Sequence, residues 1–273
     1  MTDWLTLFKQ AADQIRHQTL PLFATEAGRR GMGRGAGGDN SKYIDTLAEG
    51  LVVKTLQAAN TPCTLITEES GRLEINGGGK HTVILDSIDG TTNATRGIPF
   101  VTTSIAHATG NMLHDIDAAL VHDIYHNIDY TAEKGKGAHA SAKPLKTSDI
   151  EDLGKAITTL NLTPREKMPQ LLQQLVLVLC GSYKLRVLGC TTLEICGIAS
   201  GTLDVFLDSG GLTRAPDMAA SYLILREAGG VVASTTGGEL DIPLRADARA
   251  AFIATANRPL CDQVVECLET CDG

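Results

Sequence analysis

The chain has 273 residues, of which 43% are hydrophobic, so it is long enough to bury a substantial core without disulfide or metal staples. Its formal net charge of −8 argues against a nonspecific nucleic-acid binder, and its longest uninterrupted apolar run, Leu175 to Cys180, is far too short to span a bilayer. Seven cysteines without a Cys-x-x-Cys pair read as free thiols of a reducing, cytoplasmic compartment, with no assigned metal or redox role.

Residues 3 to 26 predict a first helix, with Leu5, Phe8, Ala12, Ile15, Leu20 and Leu22 forming an apolar stripe; the polar residues among them exclude a signal peptide. From Gly28 to Gly38, six glycines and three arginines in eleven residues predict a mobile loop carrying Asp39 beside an active site, or else a plain surface loop. Gly33, Gly35 and Gly38 satisfy Gly-x-Gly-x-x-Gly, but no strand precedes them, so a dinucleotide turn is refused. Ser41 to Ala59 reads as a helix with Asp45 near its start, as a first-turn acid or as a residue reaching the active centre.

Cys63 to Thr67 predicts a strand ending at Glu68-Glu69-Ser70, and a second strand runs from Val83 into Asp86-Ser87-Ile88-Asp89-Gly90-Thr91-Thr92-Asn93. Two carboxylates close together repel unless a proton or a cation separates them, and a hard divalent ion prefers such oxygen ligands. Gly90, Thr91 and Thr92 add backbone amides and hydroxyls suited to an anionic oxygen. The same letters also read as a tight solvated turn, since Asp-Gly is common there.

Strands follow at Val101 to Ala108, Ala118 to His122 and Ile128 to Ala132, and the polar stretch Ser141 to Asp149 suggests passage between an N-terminal α+β lobe, residues 1–145, and a C-terminal α/β lobe, residues 146–273. The second half alternates: strand Ala156 to Leu162, helix Arg165 to Leu179, strand Leu185 to Leu188, helix Thr191 to Ala199, strand Leu203 to Leu207 ending at Asp208, and a helix Met218 to Ala228 opened by Asp217. Strands at Gly230 to Ser234 and Ala251 to Ala256 and a helix Leu260 to Thr270 complete an α/β chain. Asp217 alone is an ordinary helix N-cap.

Glu68-Glu69-Ser70, then Asp86 through Asn93, then Asp217-Met218-Ala219-Ala220 with Glu227-Ala228-Gly229-Gly230 ten residues on, resembles in this order the inositol monophosphatase superfamily of magnesium-dependent phosphatases. Tyr43-Ile44-Asp45 and Gly189-Cys190-Thr191-Thr192 resemble the archaeal-type members that act on inositol monophosphate and fructose 1,6-bisphosphate. Ser87 stands where the family usually has Pro, and Pro216 where it often has Trp.

The resemblance implies a layered αβαβα sugar-phosphatase fold, a homodimer, and two or three Mg2+ ions per active site, with Mn2+ as a substitute. It implies one metal on Glu68, Asp86 and the Ile88 carbonyl and a second on Asp86, Asp89 and Asp217, with a third near Glu68. Thr91, bonded to Asp45, would orient the attacking water, while the amides of Gly90 and Thr91 hold phosphate. Asp208 would bind substrate hydroxyls, Gly189, Cys190 and Thr191 would contact the substrate ring through their backbone, and Asp39 would assist water or a third metal. Arg186, Lys184 and Arg214 stand near motif residues and are candidates for a second phosphate or for plain surface charge. The implied function is hydrolysis of small sugar or inositol phosphates by metal-activated water; the rivals are a 3′-phosphoadenosine 5′-phosphate nucleotidase, disfavoured by few aromatics for stacking, and a non-catalytic regulatory protein on the same fold.

Overall fold

The computed structural model describes residues 2–38, 40–162 and 168–271. Two helices form the first layer: α1 (Trp4–Thr19) and α3 (Tyr43–Ala58). Asp3 caps α1 by accepting from the Thr6 amide at 3.1 Å, and Arg16 and His17 in its last turn face the negative end of the helix dipole. The predicted helix to residue 26 stops earlier, because Pro21 has no N–H and its ring cannot continue an α-helix; a short 3-10 turn, Leu20–Leu22, and a separate turn, α2 (Glu26–Arg29), follow.

The glycine-rich stretch is also more ordered than a loop. Strand β1 (Gly31–Arg34) pairs antiparallel with β2 (Asn40–Lys42), and the hairpin tip is tied down, with Ala36 N donating to Glu69 O at 2.9 Å and Gly37 N to Glu68 O at 2.8 Å. Asp39 lies outside the described residues.

The second layer is an eight-stranded sheet built from β3 (Cys63–Thr67), β4 (Gly71–Ile75), β5 (Thr82–Asp89), β6 (Thr102–Ala108), β7 (Ile116–Asp123), β8 (Ile128–Glu133), β9 (Ala138–Ala140) and β10 (Lys143–Pro144), in the order β10-β9-β8-β7-β6-β5-β3-β4. Only β3 and β5 run parallel among its pairs. Strand β5 is apolar over consecutive positions because both faces are covered: Val83, Leu85 and Ile88 pack with α1 and α3, while Ile84 faces the opposite core.

Helices α6 (Thr191–Ala199) and α7 (Ala219–Glu227) fill the third layer. The fourth is a five-stranded sheet, order β12-β11-β13-β15-β14, from β11 (Ile157–Leu160), β12 (Lys184–Arg186), β13 (Val205–Arg214), β14 (Val231–Ser234) and β15 (Arg249–Thr255). Helices α5 (Met168–Gly181) and α8 (Arg258–Cys271) pack together on its outer side. The predicted helix from Arg165 is described only from Met168. The result is the expected αβαβα layering, and one buried apolar cluster runs through the third layer into both sheets. Among the described residues no helix is long and apolar enough to cross a membrane.

Candidate active site

Because β3 and β5 are parallel neighbours, their C-terminal ends emerge on the same side, bringing the Glu68–Glu69 turn beside Asp86 and Asp89. In a regular strand residues three apart point to opposite faces. Here the pairing with β6 slips between Asp86, opposite Ser104, and Asp89, opposite Thr102, so three steps on β5 match two on β6. That bulge turns both carboxylates toward one centre. Gly90 then takes a left-handed conformation, φ 87°, and starts the short helix α4 (Thr91–Arg96). A Cβ on Gly90 would lie 2.9 Å from the Phe100 carbonyl oxygen, so both backbone shape and space demand glycine.

Glu68, Asp86 and Asp217 each offer an oxygen, and these ligand atoms all lie within 4.8 Å of one another. Asp217 does not cap α7. Its Oδ2 accepts from Arg214 N at 3.0 Å and Nε at 3.2 Å, while its Oδ1 is buried without a protein partner. Buried polar atoms are nearly always satisfied, so an orphaned carboxylate oxygen beside two further acids fits a hard divalent cation. Burial, reinforced by the charges of Asp89, Glu68 and Asp217, raises the Asp86 carboxyl well above the usual carboxylate range. Burial likewise pushes Asp89 up to about 6 against the bonds it accepts from Thr192. Those bonds, from Thr192 N at 2.7 Å and Oγ1 at 2.6 Å, both reach Asp89 Oδ2 and fix that carboxylate from the start of α6.

Across the centre, the Thr91 hydroxyl lies 3.0 Å from Asp45 Oδ1 and 3.0 Å from the Ile88 carbonyl. Asp45 Oδ2 accepts from Lys42 N at 2.7 Å, and its backbone carbonyl accepts from Ser87 Oγ at 3.1 Å. Ser87 thereby ties β5 to the start of α3. Burial raises the Asp45 carboxyl to about 7, with the nearby Glu69 charge contributing. Glu49, one turn further along α3, is buried and accepts from Thr67 Oγ1 at 2.7 Å and from Ser70 N at 3.2 Å, which shapes the Glu68–Glu69 turn from below.

These groups surround a cavity of about 370 Å³. Gly189 and Thr191 border it, together with Gly90, Thr91 and the acids just described. Asn93 holds the far wall by donating through Nδ2 to the carbonyls of Leu188 at 2.8 Å and Phe100 at 2.9 Å. Glu69, Ser41, Lys42 and Thr95 also line it, and Thr192 anchors Asp89 behind it; none of the five was singled out from sequence. Ser41 Oγ donates to Glu69, so the hairpin and the acidic turn meet at the rim.

Two expected side-chain contacts, Arg186 and Asp208, are not among the described residues that border this cavity. Cys190, between the bordering Gly189 and Thr191, buries its side chain behind Asp89, its thiol 3.5 Å from the Asp89 carbonyl. Arg186, like Lys184, is exposed on the edge strand β12, where its Nη1 bonds the neighbouring Leu185 carbonyl at 2.8 Å. Asp208 has 0% exposure, and its Oδ2 accepts from Leu212 N at 2.9 Å and from Thr213 N and Oγ1, both at 2.7 Å. Strand β13 runs on past Asp208 through a bulge instead of ending there, and the carboxylate stitches that bulge closed.

A family-wide sequence profile, that of the inositol monophosphatase family, matches residues 7–267. The chain belongs to that family. It is accordingly a phosphatase of the phosphoric monoester hydrolase class. The chain is 34% identical to a fructose-1,6-bisphosphatase/inositol-1-monophosphatase of Methanothermobacter thermautotrophicus, over 97% of this chain and 96% of that protein. A crystal structure of an inositol monophosphatase-fructose 1,6 bisphosphatase superposes with a TM-score of 0.86 at 28% identity, covering 98% of this chain and 100% of the other. A bifunctional NADP phosphatase/NAD kinase of Methanococcus maripaludis is 27% identical over 93% of this chain but only 47% of its own length. Members of the inositol monophosphatase family are generally metal-dependent, and the acids brought together here suit an ion.

Proposed function

We propose that this chain is a Mg2+-dependent phosphomonoesterase acting on small sugar or inositol phosphates, fructose 1,6-bisphosphate and inositol 1-phosphate foremost. The observation that carries the reading is the pairing of the oxygen cluster of Glu68, Asp86 and Asp217 with the Thr91–Asp45 hydrogen bond on one cavity. All-oxygen donors favour Mg2+ or Mn2+ over softer metals. Glu68, Asp86, Asp217, Asp89 and the Ile88 carbonyl would hold the ions. When bound, a divalent cation offsets the carboxylates' repulsion, polarises the phosphoryl group and strengthens water as a nucleophile.

The protein's own groups do the rest. The Thr91 oxygen is fixed between Asp45 and the Ile88 carbonyl, so it accepts a proton from an incoming water as its own passes to Asp45 Oδ1. A carboxyl raised to about 7 is a competent proton acceptor near neutral pH. The Gly90 turn leaves the first amides of α4 outside the helix ladder, where they receive phosphate oxygens. Gly189 and Thr191 border the part of the cavity that receives the sugar or cyclitol ring. No aromatic side chain is among its described lining residues, which supports a polyol over the adenine of a nucleotidase substrate. The intact acid set also supports catalysis over a purely regulatory role.

We read the protein as cytoplasmic, in keeping with seven free cysteines, and as a homodimer. The exposed apolar side chains of Leu172, Val176, Tyr183, Leu185 and Val187, gathered on α5 and around β12, support such a pairing face.

The test is phosphate release from inositol 1-phosphate, fructose 1,6-bisphosphate and 3′-phosphoadenosine 5′-phosphate, with Mg2+ and with EDTA. Turnover of the first two that vanishes in EDTA is expected. Preference for the nucleotide, or full turnover in EDTA, overturns the reading. Asp89→Asn, which keeps an oxygen for Thr192, should stay folded and lose most activity.

A further inference from the structure

We propose that Arg214 is a built-in counter-cation of the acidic cluster, holding the site together when divalent ions are scarce and setting a ceiling on how tightly they bind. The inference rests on the metal-dependent reading above. Arg214 ends β13 with a side chain only 9% exposed, and its Nη2 lies 2.5 Å from Glu68 Oε1 while its Nε lies 3.2 Å from Asp217 Oδ2. Those are two of the three residues whose oxygens converge on the candidate ion site. The sequence allowed Arg214 to be a receptor for a second substrate phosphate; in the fold both of these contacts are to acids.

The hairpin tip lies against the guanidinium. A Cβ on Gly37 would fall 2.6 Å from Arg214 Nη1 and 2.9 Å from Glu68 Cγ, so the hairpin tip packs closely over the ion pair, and a side chain there would push against it. Gly37 N is bonded to Glu68 O at 2.8 Å, and Arg249 Nη2 reaches Gly37 O at 3.3 Å. An arginine in this position cannot yield by losing its proton, as a lysine could. A divalent cation joining Glu68, Asp86 and Asp217 therefore meets carboxylates already partly neutralised, and a fixed positive charge beside it. Removing that charge should strengthen metal binding and expose the acids' mutual repulsion in its absence. A residue that only positioned the ligands would do the reverse, since losing it would loosen the ligand set and weaken binding.

Calorimetric titration of the EDTA-stripped protein with Mn2+ and with Mg2+, together with thermal midpoints in EDTA and in saturating Mg2+, distinguishes the two. Arg214→Gln is expected to bind Mn2+ about tenfold more tightly than wild type. Its midpoint should fall by about 5 °C in EDTA and recover in Mg2+. Arg214→Lys, which keeps the charge, should bind within about threefold of wild type. Unchanged or weaker binding by the Gln variant overturns the proposal. A Gln variant that folds only with Mg2+ supports it. Should that variant fold under neither condition, the Lys variant decides: wild-type-like affinity upholds the role of charge, and failure to fold overturns it in favour of shape. Wild-type protein that binds neither ion refutes the metal reading itself, a separate outcome.

Discussion

The Thr91 hydroxyl lies 3.0 Å from Asp45 Oδ1, joining the first turn of α4 to the first turn of α3 across the mouth of the cavity. Those two residues are 46 apart in sequence and belong to a loop-helix turn and a different helix, so the bond exists only in the folded chain. Thr91→Val keeps the shape and removes the hydroxyl. Loss of a positioned proton-transfer group should lower kcat by about 10²- to 10⁴-fold, with a much smaller effect on KM. Steady-state kinetics on inositol 1-phosphate would show it, and a kcat within a factor of three of wild type would remove Thr91 from the mechanism.

Gly90 is constrained twice, by φ 87° and by the Phe100 carbonyl that a Cβ would approach to 2.9 Å. Gly90→Ala should therefore destabilise the protein by about 1–3 kcal/mol and shift the amides that open α4. Urea unfolding reads the first effect and kcat/KM the second. A variant as stable and as active as wild type would show that the turn relaxes freely.

Part of this centre was legible because two of its acids follow apolar runs: Glu68 after Cys63 to Thr67, Asp86 after Val83 to Leu85. Such a run marks where a buried strand surfaces, and a carboxylate there is poised for chemistry. The same signal failed at Asp208, which follows Val205 to Leu207, because local sequence does not reveal that the strand bulges and continues to Arg214. The glycines of residues 28–38 predicted a mobile loop, yet Gly37 lies close against Arg214 and Glu68, a contact between distant segments. Arg214 read as a receptor for a second phosphate or as surface charge, and only the convergence of β13 with the end of β3 makes it part of the acidic centre. Ser41 and Lys42 were hidden for a similar reason, since they reach the rim through the β1–β2 hairpin.

The Asp208 carboxylate now predicts a stability effect in place of a specificity effect. Asp208→Ala leaves the amides of Leu212 and Thr213 without their acceptor inside the protein. A buried donor left unsatisfied costs about 1–3 kcal/mol, in full for the buried Thr213 amide and in part for the half-buried Leu212 amide, so a loss of about 2–4 kcal/mol is expected. The ratio of rates on fructose 1,6-bisphosphate and inositol 1-phosphate should stay as in wild type, measured below the variant's melting range. A changed ratio with unchanged stability would return Asp208 to the substrate rim.

Glu194 supplies a pH test away from the cavity lining. It is 1% exposed on α6 and accepts from Leu188 N at 3.1 Å and from Thr159 Oγ1. Burial, only partly offset by those bonds, raises its carboxyl from 4.5 to about 7. A folded pKa above the unfolded one means that the native state holds the proton more tightly. The stability linked to Glu194 is therefore complete below about pH 4.5 and is lost as pH rises toward and past 7, by about 3 kcal/mol. Glu194→Gln cannot ionise and can keep an oxygen toward Leu188 N. It should match wild type near pH 5 and unfold at a higher urea concentration at pH 8, with both proteins compared in EDTA so that bound metal does not contribute. Equal midpoints at pH 8 would show that Glu194 ionises in the native state without penalty.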